Sequence, residues 1–363
     1  MRLERIAPGR TAPAGLAGAI TTRDLTVAGR RIPKGHRLTD EDLALLAGAA
    51  ADAAGERAIT VLLLEAWEVH EDEAATRLAE AVAGGASPTS GTRSARGRGL
   101  VARPPVQSRV DLVAAHSGVV EIRPSALERL NRVDPLEVFT VYDGQVVSEG
   151  DLVASVKIAP HAVHAAVLEA GLQVARRTPL VRVRPFRAVP VSVLVKEPIA
   201  GAARQRFERA VRAKIAGLGA RLVTIAYMRD DQDAVTAALA GVVAPGPGRA
   251  AIVLTAGGAS TDPGDTFFGA VAALGGRVVR HGVPAHPGSM LWLATVERTA
   301  VIGLPSCGAY SMATAADLLL ARLVAGQPPT ATTVAKLAHG GILARSQRFR
   351  FPPYARDLDA PDG

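Results

Sequence analysis

Apolar positions along the chain alternate between short continuous runs and longer stretches in which they recur every third or fourth residue, the periods of buried strands and of helices with one apolar face. The pattern is clearest over 188–326. Runs at 189–195, 221–228, 250–255 and 277–282 predict strands, and 291–296 with 300–304 predicts a hairpin bent around Glu297-Arg298. Between them, Phe207, Val211, Ile215 and Leu218 lie at helical spacing with arginines opposite. Segments 231–240, 267–274 and 310–324 predict three further helices. Strands alternating with helices imply right-handed crossovers and a mostly parallel sheet covered on both faces. The fold class expected at the C-terminal side is therefore a three-layer α/β/α domain.

Upstream the pattern is mixed. Thr39 with Asp40, Glu41 and Asp42 predicts a capped, acidic helix start; 59–64 is strand-like; 71–82 is helical. From 84 to 108 the chain is rich in Gly, Ser, Thr, Pro and Arg without periodicity, which predicts a long loop. Its Arg93, Arg96, Arg98 and Arg103 are either solvated or fold over an anionic ligand. Residues 109–187 read as β-rich, with Asp143-Gly144 suited to a type I′ hairpin turn, a strand at 152–158 and a helix over 161–169. His161 and His164 would share a face of that helix, too few ligands for a metal. Beyond 326 the Pro/Thr-rich, basic and then Asp-rich end predicts partial disorder. The expected division is 1–87, 88–187, 188–328 and 329–363.

Composition adds limits. Over 363 residues, 48% hydrophobic and 21% charged is a globular balance, and 4% aromatic leaves cores of Ala, Val and Leu. A single cysteine, Cys307, excludes an internal disulfide framework and a multi-cysteine metal site. The start, Met1 to Asp24, has no continuous apolar stretch of signal-peptide length and nowhere do about 18 uninterrupted apolar residues appear, so a cytoplasmic protein is expected. The formal charge of +8 and the arginine-rich loop admit nucleic acid as a partner. Against it, there is no helix-turn-helix or zinc-finger pattern and there are few aromatics to stack bases.

The chemistry-bearing segment is Thr255-Ala256-Gly257-Gly258-Ala259-Ser260-Thr261-Asp262-Pro263-Gly264-Asp265-Thr266. It leaves the carboxyl end of an apolar strand, where open α/β sheets bind ligands, and enters a helix. Adjacent glycines bring a ligand close to bare backbone, Ser260 and Thr266 offer hydroxyls, and helix-start amides receive anions. The plain alternative is a tight turn with Asp265 as an N-cap. Two more loops, Pro284-Ala285-His286-Pro287-Gly288-Ser289 and Gly303-Leu304-Pro305-Ser306-Cys307-Gly308, follow later strands. In a doubly wound sheet all three can face one ligand. The glycine pattern at Gly97-Arg98-Gly99 is no dinucleotide site, because no strand enters it and Pro104-Pro105 follows.

The order GGAS…D, then PG, then GLP before a closing helix resembles the molybdopterin-binding domain shared by molybdopterin adenylyltransferases and molybdopterin molybdotransferases. It looks closer still to molybdopterin-binding proteins associated with molybdenum hydroxylases. The resemblance covers 188–326 and implies molybdopterin or its nucleotide as ligand, contacted by Gly257, Gly258, Ala259, Ser260, Thr266, Pro287, Gly288, Ser289, Gly303, Pro305, Ser306 and Cys307. It implies Asp265, with Asp262, in catalysis and in holding Mg²⁺, molybdate as a second substrate, a homo-oligomer, and a molybdenum hydroxylase as partner. The likeness has departures. His286 stands where molybdotransferases keep Lys before Pro-Gly, Ser306-Cys307-Gly308 stands where they read Gly-Asn-Pro, and Asp262 replaces a usual glycine. The resemblance thus implies either molybdate insertion into adenylylated molybdopterin or a non-enzymatic carrier of the cofactor.

Overall fold

The computed structural model describes residues 1–11, 13–48, 58–84, 98–246, 249–258, 261–304 and 312–356. The chain forms two compact units: Met1–Ala115, Ile122–Val141 and Gly150–Arg182 in the first, His116–Glu121, Tyr142–Glu149 and Val183–Gly363 in the second.

The first unit is β-rich. Its largest sheet is antiparallel, in the order Leu136–Thr140, Leu152–Ile158, Arg109–Ala114, Leu100–Ala102. The helix Glu71–Ala83 buries Ala74, Ala75, Leu78, Ala79 and Val82 along one stripe, is capped by the His70 ring, and stops at Gly84 with φ +89°. Gly84 takes the left-handed conformation that ends helices. A smaller three-stranded sheet, Arg2–Ile6, Ile59–Leu63 and Ile20–Thr21, packs on a separate cluster containing Ile6, Leu16, Leu25, Ile32 and Leu46.

Three expectations are corrected in or beside this unit. The expected loop at 84–108 ends early: Leu100–Ala102 is a strand with Leu100 and Ala102 buried, and Arg98 donates to the Ala81 and Val82 carbonyls at 3.1 and 2.8 Å. Arg98 thus finishes a helix, while Arg93 and Arg96 lie outside the described residues. His161 and His164 share no helix face, because Ala162–His164 is a strand paired with Glu68–His70 and the helix starts only at Ala165, capped by His164. Tyr142 to Gln145 is a turn closed by the Gln145 amide on the Tyr142 carbonyl, but only Gly144 has positive φ, +79°. A type I′ turn requires positive φ at both central residues; positive φ at the third position alone is the type II pattern. The flanking strands also pair elsewhere, Val146–Val147 with Gly118–Ile122.

The second unit contains the domain expected at 188–326. Its elements are β1 Pro190–Val195, α1 Gly201–Gly217, β2 Arg221–Tyr227, α2 Gln232–Val243, β3 Ile252–Ala256, α3 Thr266–Ala273, β4 Arg277–His281, β5 Trp292–Val296, β6 Thr299–Gly303 and α4 Ala315–Val324. The six strands lie in the order β2-β1-β3-β6-β5-β4. β2, β1, β3 and β6 are parallel, and β5 is antiparallel to both β6 and β4. Side chains alternate faces along each strand. Val191, Val193, Val195, Ile252, Leu254 and Ile302 face one core with Phe207, Val211 and Ile215 of α1 and Leu319 of α4. Leu194, Val253, Val301 and Trp292 face the other with Val235 and Leu239 of α2 and Phe267 of α3. Burial on both faces is why the central strands β1, β3 and β6 read as largely apolar runs.

The segment after 326 is a fourth correction. Ala331–Ala335, Arg345–Arg350 and Pro353–Arg356 are helical, and Val334, Leu337, Leu343, Phe351 and Ala355 complete the first of these two cores. Disorder was expected from composition, yet five apolar side chains, each worth about 1–3 kcal/mol when buried, hold the segment to the domain.

Candidate functional site

Register fixes one rim of the sheet. Val195 lies beside Tyr227 and Ala256, Thr255 beside Gly303, Gly303 beside Trp292, and Trp292 beside His281. The carboxyl ends of β1, β2, β3, β4 and β6 therefore line one edge, together with the amino end of β5. The loops after β3, β4 and β6, each singled out in the sequence, leave from that edge. Of their residues, Ala259, Ser260, Pro305, Ser306 and Cys307 lie outside the described residues.

In the first loop, Gly257 has φ +90°, and a Cβ there would stand 2.6 Å from the Glu197 amide nitrogen. This glycine lets the β3 loop cross the chain leaving β1. Gly258 is different: a Cβ there would face the Phe267 ring at 3.3 Å and the Asp265 carboxylate at 3.5 Å. Asp262 is exposed; its Oδ1 accepts the Gly264 amide at 2.8 Å and its carbonyl accepts the Asp265 amide at 3.1 Å, a local turn that joins the two residues through the main chain. Asp265 is buried; Oδ1 accepts the Phe267 amide at 2.9 Å, capping α3. Capping and burial coexist here because Oδ2 meets the Lys196 ammonium at 3.0 Å.

Lys196 and Asp230 were not singled out in the sequence. Lys196 follows β1, its side chain is 3% exposed, and Nζ donates to Asp265 Oδ2, Asp230 Oδ1 and Thr266 Oγ1 at 3.0, 3.1 and 3.0 Å. The Thr266 hydroxyl in turn donates to Asp230 Oδ1 at 2.7 Å. That hydroxyl first, then the Lys196 ammonium, outweighs burial and holds the Asp230 carboxyl below the usual carboxylate range. The signal for both residues was available. A lone lysine closing an apolar strand, and an aspartate three residues past the next parallel strand's end, must share the rim by topology alone.

The second loop turns back on the domain. The Pro287 carbonyl accepts the Ala315 amide at 2.9 Å, and Gly288, φ +104°, lies where a Cβ would stand 2.9 Å from that same nitrogen. Ser289 accepts the Val283 amide through its carbonyl at 2.9 Å. His286 is exposed and exchanges main-chain bonds with Gly341 and Leu343. Below the third loop, Gly303 lies under the Trp292 indole: a Cβ there would be 1.9 Å from Nε1. α4 is closed by a capping box, Thr314 Oγ1 taking the Ala316 amide and Asp317 Oδ2 the Thr314 amide. The expectation of helix starts open to an anion is thus corrected at both helices: Asp265 caps α3, and Pro287, Thr314 and Asp317 take the α4 groups. Among the described residues, no three His, Cys, Asp or Glu side chains converge as a metal-holding group, and no helix is long and apolar enough to cross a membrane.

Residues 192–325 match the model of a family described as a probable molybdopterin binding domain. Solved structures similar to the chain include molybdenum cofactor biosynthesis protein B, at 16% identity over 38% of this chain and 87% of that one, TM-score 0.27. Another is the molybdopterin biosynthesis MoeA protein from Pyrococcus horikosii, at 14% identity over 66% and 74%, TM-score 0.27. No curated protein matches the sequence significantly.

Proposed function

We propose that the domain at 188–328 binds molybdopterin or its nucleotide and that the protein acts in molybdenum-cofactor biosynthesis. The observation that carries this reading is a coincidence of place. The family match spans 192–325, and within that span three loops chosen for their ligand-binding chemistry leave one rim of the sheet. Molybdopterin carries a phosphate, a dithiolene and a hydrogen-bonding pterin. Gly258 and Ser289 are the described groups offered to it, since Pro287 and Gly288 are buried against the start of α4 and the Thr266 hydroxyl is held by Asp230 and Lys196; Ala259, Ser260, Pro305, Ser306 and Cys307, which the resemblance also assigns to the ligand, lie outside the described residues. A few charge-assisted hydrogen bonds of about 1.5–3 kcal/mol each give such a ligand useful affinity. When bound, the dithiolene is what holds molybdenum; this chain's part is to bind and orient it.

The resemblance also implies Mg²⁺ held by Asp265 and Asp262, and the residues do not fit it. Asp265 spends one oxygen on the Phe267 amide and the other on Lys196, while Asp262 spends Oδ1 on its own turn. Mg²⁺ needs close, nearly octahedral oxygen ligands and leaves no room for an ammonium among them. This commitment favours the second reading, a non-enzymatic carrier that hands the cofactor to a molybdenum hydroxylase, over molybdate insertion. One experiment separates the outcomes. Purified protein is assayed for pterin by fluorescence after acid iodine oxidation, then mixed with adenylylated molybdopterin, Mg²⁺ and molybdate. Bound pterin without AMP release is the result expected; AMP release would restore the insertion reading, and failure to bind pterin at micromolar concentration would remove both. A cytoplasmic location and a homo-oligomer belong to the same proposal.

A further inference from the structure

We infer that Lys196 is a built-in counter-cation standing where a divalent metal would otherwise serve this rim, so that the rim binds its ligand without a metal ion. The relevance to pterin rests on the function proposed above, but the geometry stands apart from it. Three oxygens, from Asp265, Asp230 and Thr266, converge on one Nζ at 3.0–3.1 Å. They come from the loop after β2, the N-cap of α3 and the first residue of α3, while the lysine closes β1. That is the layout of a cation shell, with oxygens gathered from separate strand ends onto one positive centre. A lysine ammonium has three donors and no acceptor, so three oxygens exhaust it and none is left for a ligand. Lys196 therefore neither binds the guest directly nor leaves the Asp265 carboxylate open to a metal, and it occupies Oδ1 of Asp230. Its 3% exposure and the Phe267 ring 5.3 Å away enclose the charge. One ammonium against two carboxylates leaves the cluster at −1, already compensated in part by a charge tethered to the chain.

The test uses the full chain without pterin, so its outcome is independent of the pterin assay. Melting temperature is followed with and without about 10 mM MgCl₂ at constant ionic strength in the wild type, Lys196→Met, and Lys196→Met combined with Asp230→Asn. The wild type should be indifferent. Lys196→Met should melt lower and regain about 3–6 °C with Mg²⁺ for millimolar binding, a gain lost in the double variant. A wild type stabilised by Mg²⁺ and made indifferent by Asp230→Asn overturns the inference. A folded Lys196→Met protein that ignores Mg²⁺ overturns it equally. Should Lys196→Met not fold, the wild type and Asp230→Asn decide by Mn²⁺ paramagnetic resonance, since the Asp230 side chain is 55% exposed and asparagine keeps its size. Saturable Mn²⁺ uptake lost in Asp230→Asn then refutes the inference, and its absence upholds it.

Discussion

Gly303 is the position where ligand binding and packing make opposite demands on one residue. As a ligand glycine it would tolerate a methyl group without loss of stability; as a packing glycine it cannot. A Cβ at Gly303 would lie 1.9, 2.1 and 2.4 Å from Nε1, Cε2 and Cδ1 of Trp292. Comfortable contact is about 3.5 Å or more, so the indole must retreat by about 1.5 Å. It has nowhere to go: Trp292 is 1% exposed, and the rings of Phe268 and Phe267 stand 5.0 and 6.3 Å from it. Overpacking of this kind costs about 1–3 kcal/mol, and the depth of overlap puts Gly303→Ala at the upper end. For a unit of this size that is a fall in melting temperature of roughly 5–10 °C. The chain has two tryptophans, and Trp67, in the other unit, is 54% exposed. In a Trp67→Phe background Trp292 is the sole indole, so its emission reports the domain locally and no two-state assumption for the whole chain is needed. Gly303→Ala should lower the urea midpoint of the Trp292 signal and shift native emission to the red. An unchanged midpoint and spectrum would refute the packing argument and return Gly303 to the ligand.

The neighbouring glycines should separate in the same way. Gly257→Ala meets positive φ and a main-chain nitrogen at 2.6 Å and should cost more than about 1 kcal/mol. Gly258→Ala should keep the fold within about 1 kcal/mol and instead weaken pterin binding; equal melting temperatures for the two variants would contradict this. Asp317→Ala leaves the Lys214 ammonium, 5% exposed, without its carboxylate and opens the α4 cap. A loss of about 3–5 kcal/mol is expected from urea denaturation, and a loss below about 1 kcal/mol would show that the buried pair is not needed. Burial above all, and then the Asp317 carboxylate, raise the Tyr354 phenol well above its ordinary value. The unfolded tyrosine ionises near pH ~10 while the folded one still holds its proton, so stability falls as pH rises past ~10. Tyr354→Phe should flatten that alkaline decline; an identical decline in both proteins would rule out Tyr354 as its source.

The architecture of the second unit was legible because its central strands β1, β3 and β6 are buried on both faces. Largely apolar runs such as Val191 to Val195 and Ile252 to Ala256, each broken by one small hydroxyl residue, have few other uses in a chain with this helical alternation. Upstream, the turn at Gly144 was misread because the glycine serves a contact distant in sequence: a Cβ there would collide with the Arg322 guanidinium. The strand Leu100–Ala102 was hidden by the Gly- and Arg-rich composition on its amino-terminal side. The helical end past 326 was hidden because its apolar residues are sparse locally and become a core only against α4 and β-strand side chains. In the site, Asp265 and the loop glycines were legible as positions but not as roles. No local pattern says that a lysine far upstream takes the Asp265 carboxylate.

That division has a physical cause which bears on what the rim can do. Among the described glycines of the three loops, Gly257, Gly288 and Gly303 each lie against protein: the Glu197 main chain, the start of α4 and the Trp292 indole. Gly258 differs from these: a Cβ there would meet the Phe267 ring edge at a tight 3.3 Å and the Asp265 carboxylate at an ordinary 3.5 Å. Most of the glycine content of the motif is therefore spent on bringing loops close to one another, with ligand contact left to the groups between. The capped helix starts act in the same direction, since their amides are satisfied before any guest arrives. A rim built this way offers a ligand a fixed shape, with its two carboxylates already neutralised in part by Lys196. Such preorganisation lowers the cost of ordering on binding. It also explains why substitutions at the packed glycines should register first as lost stability, and only at Gly258 as lost affinity.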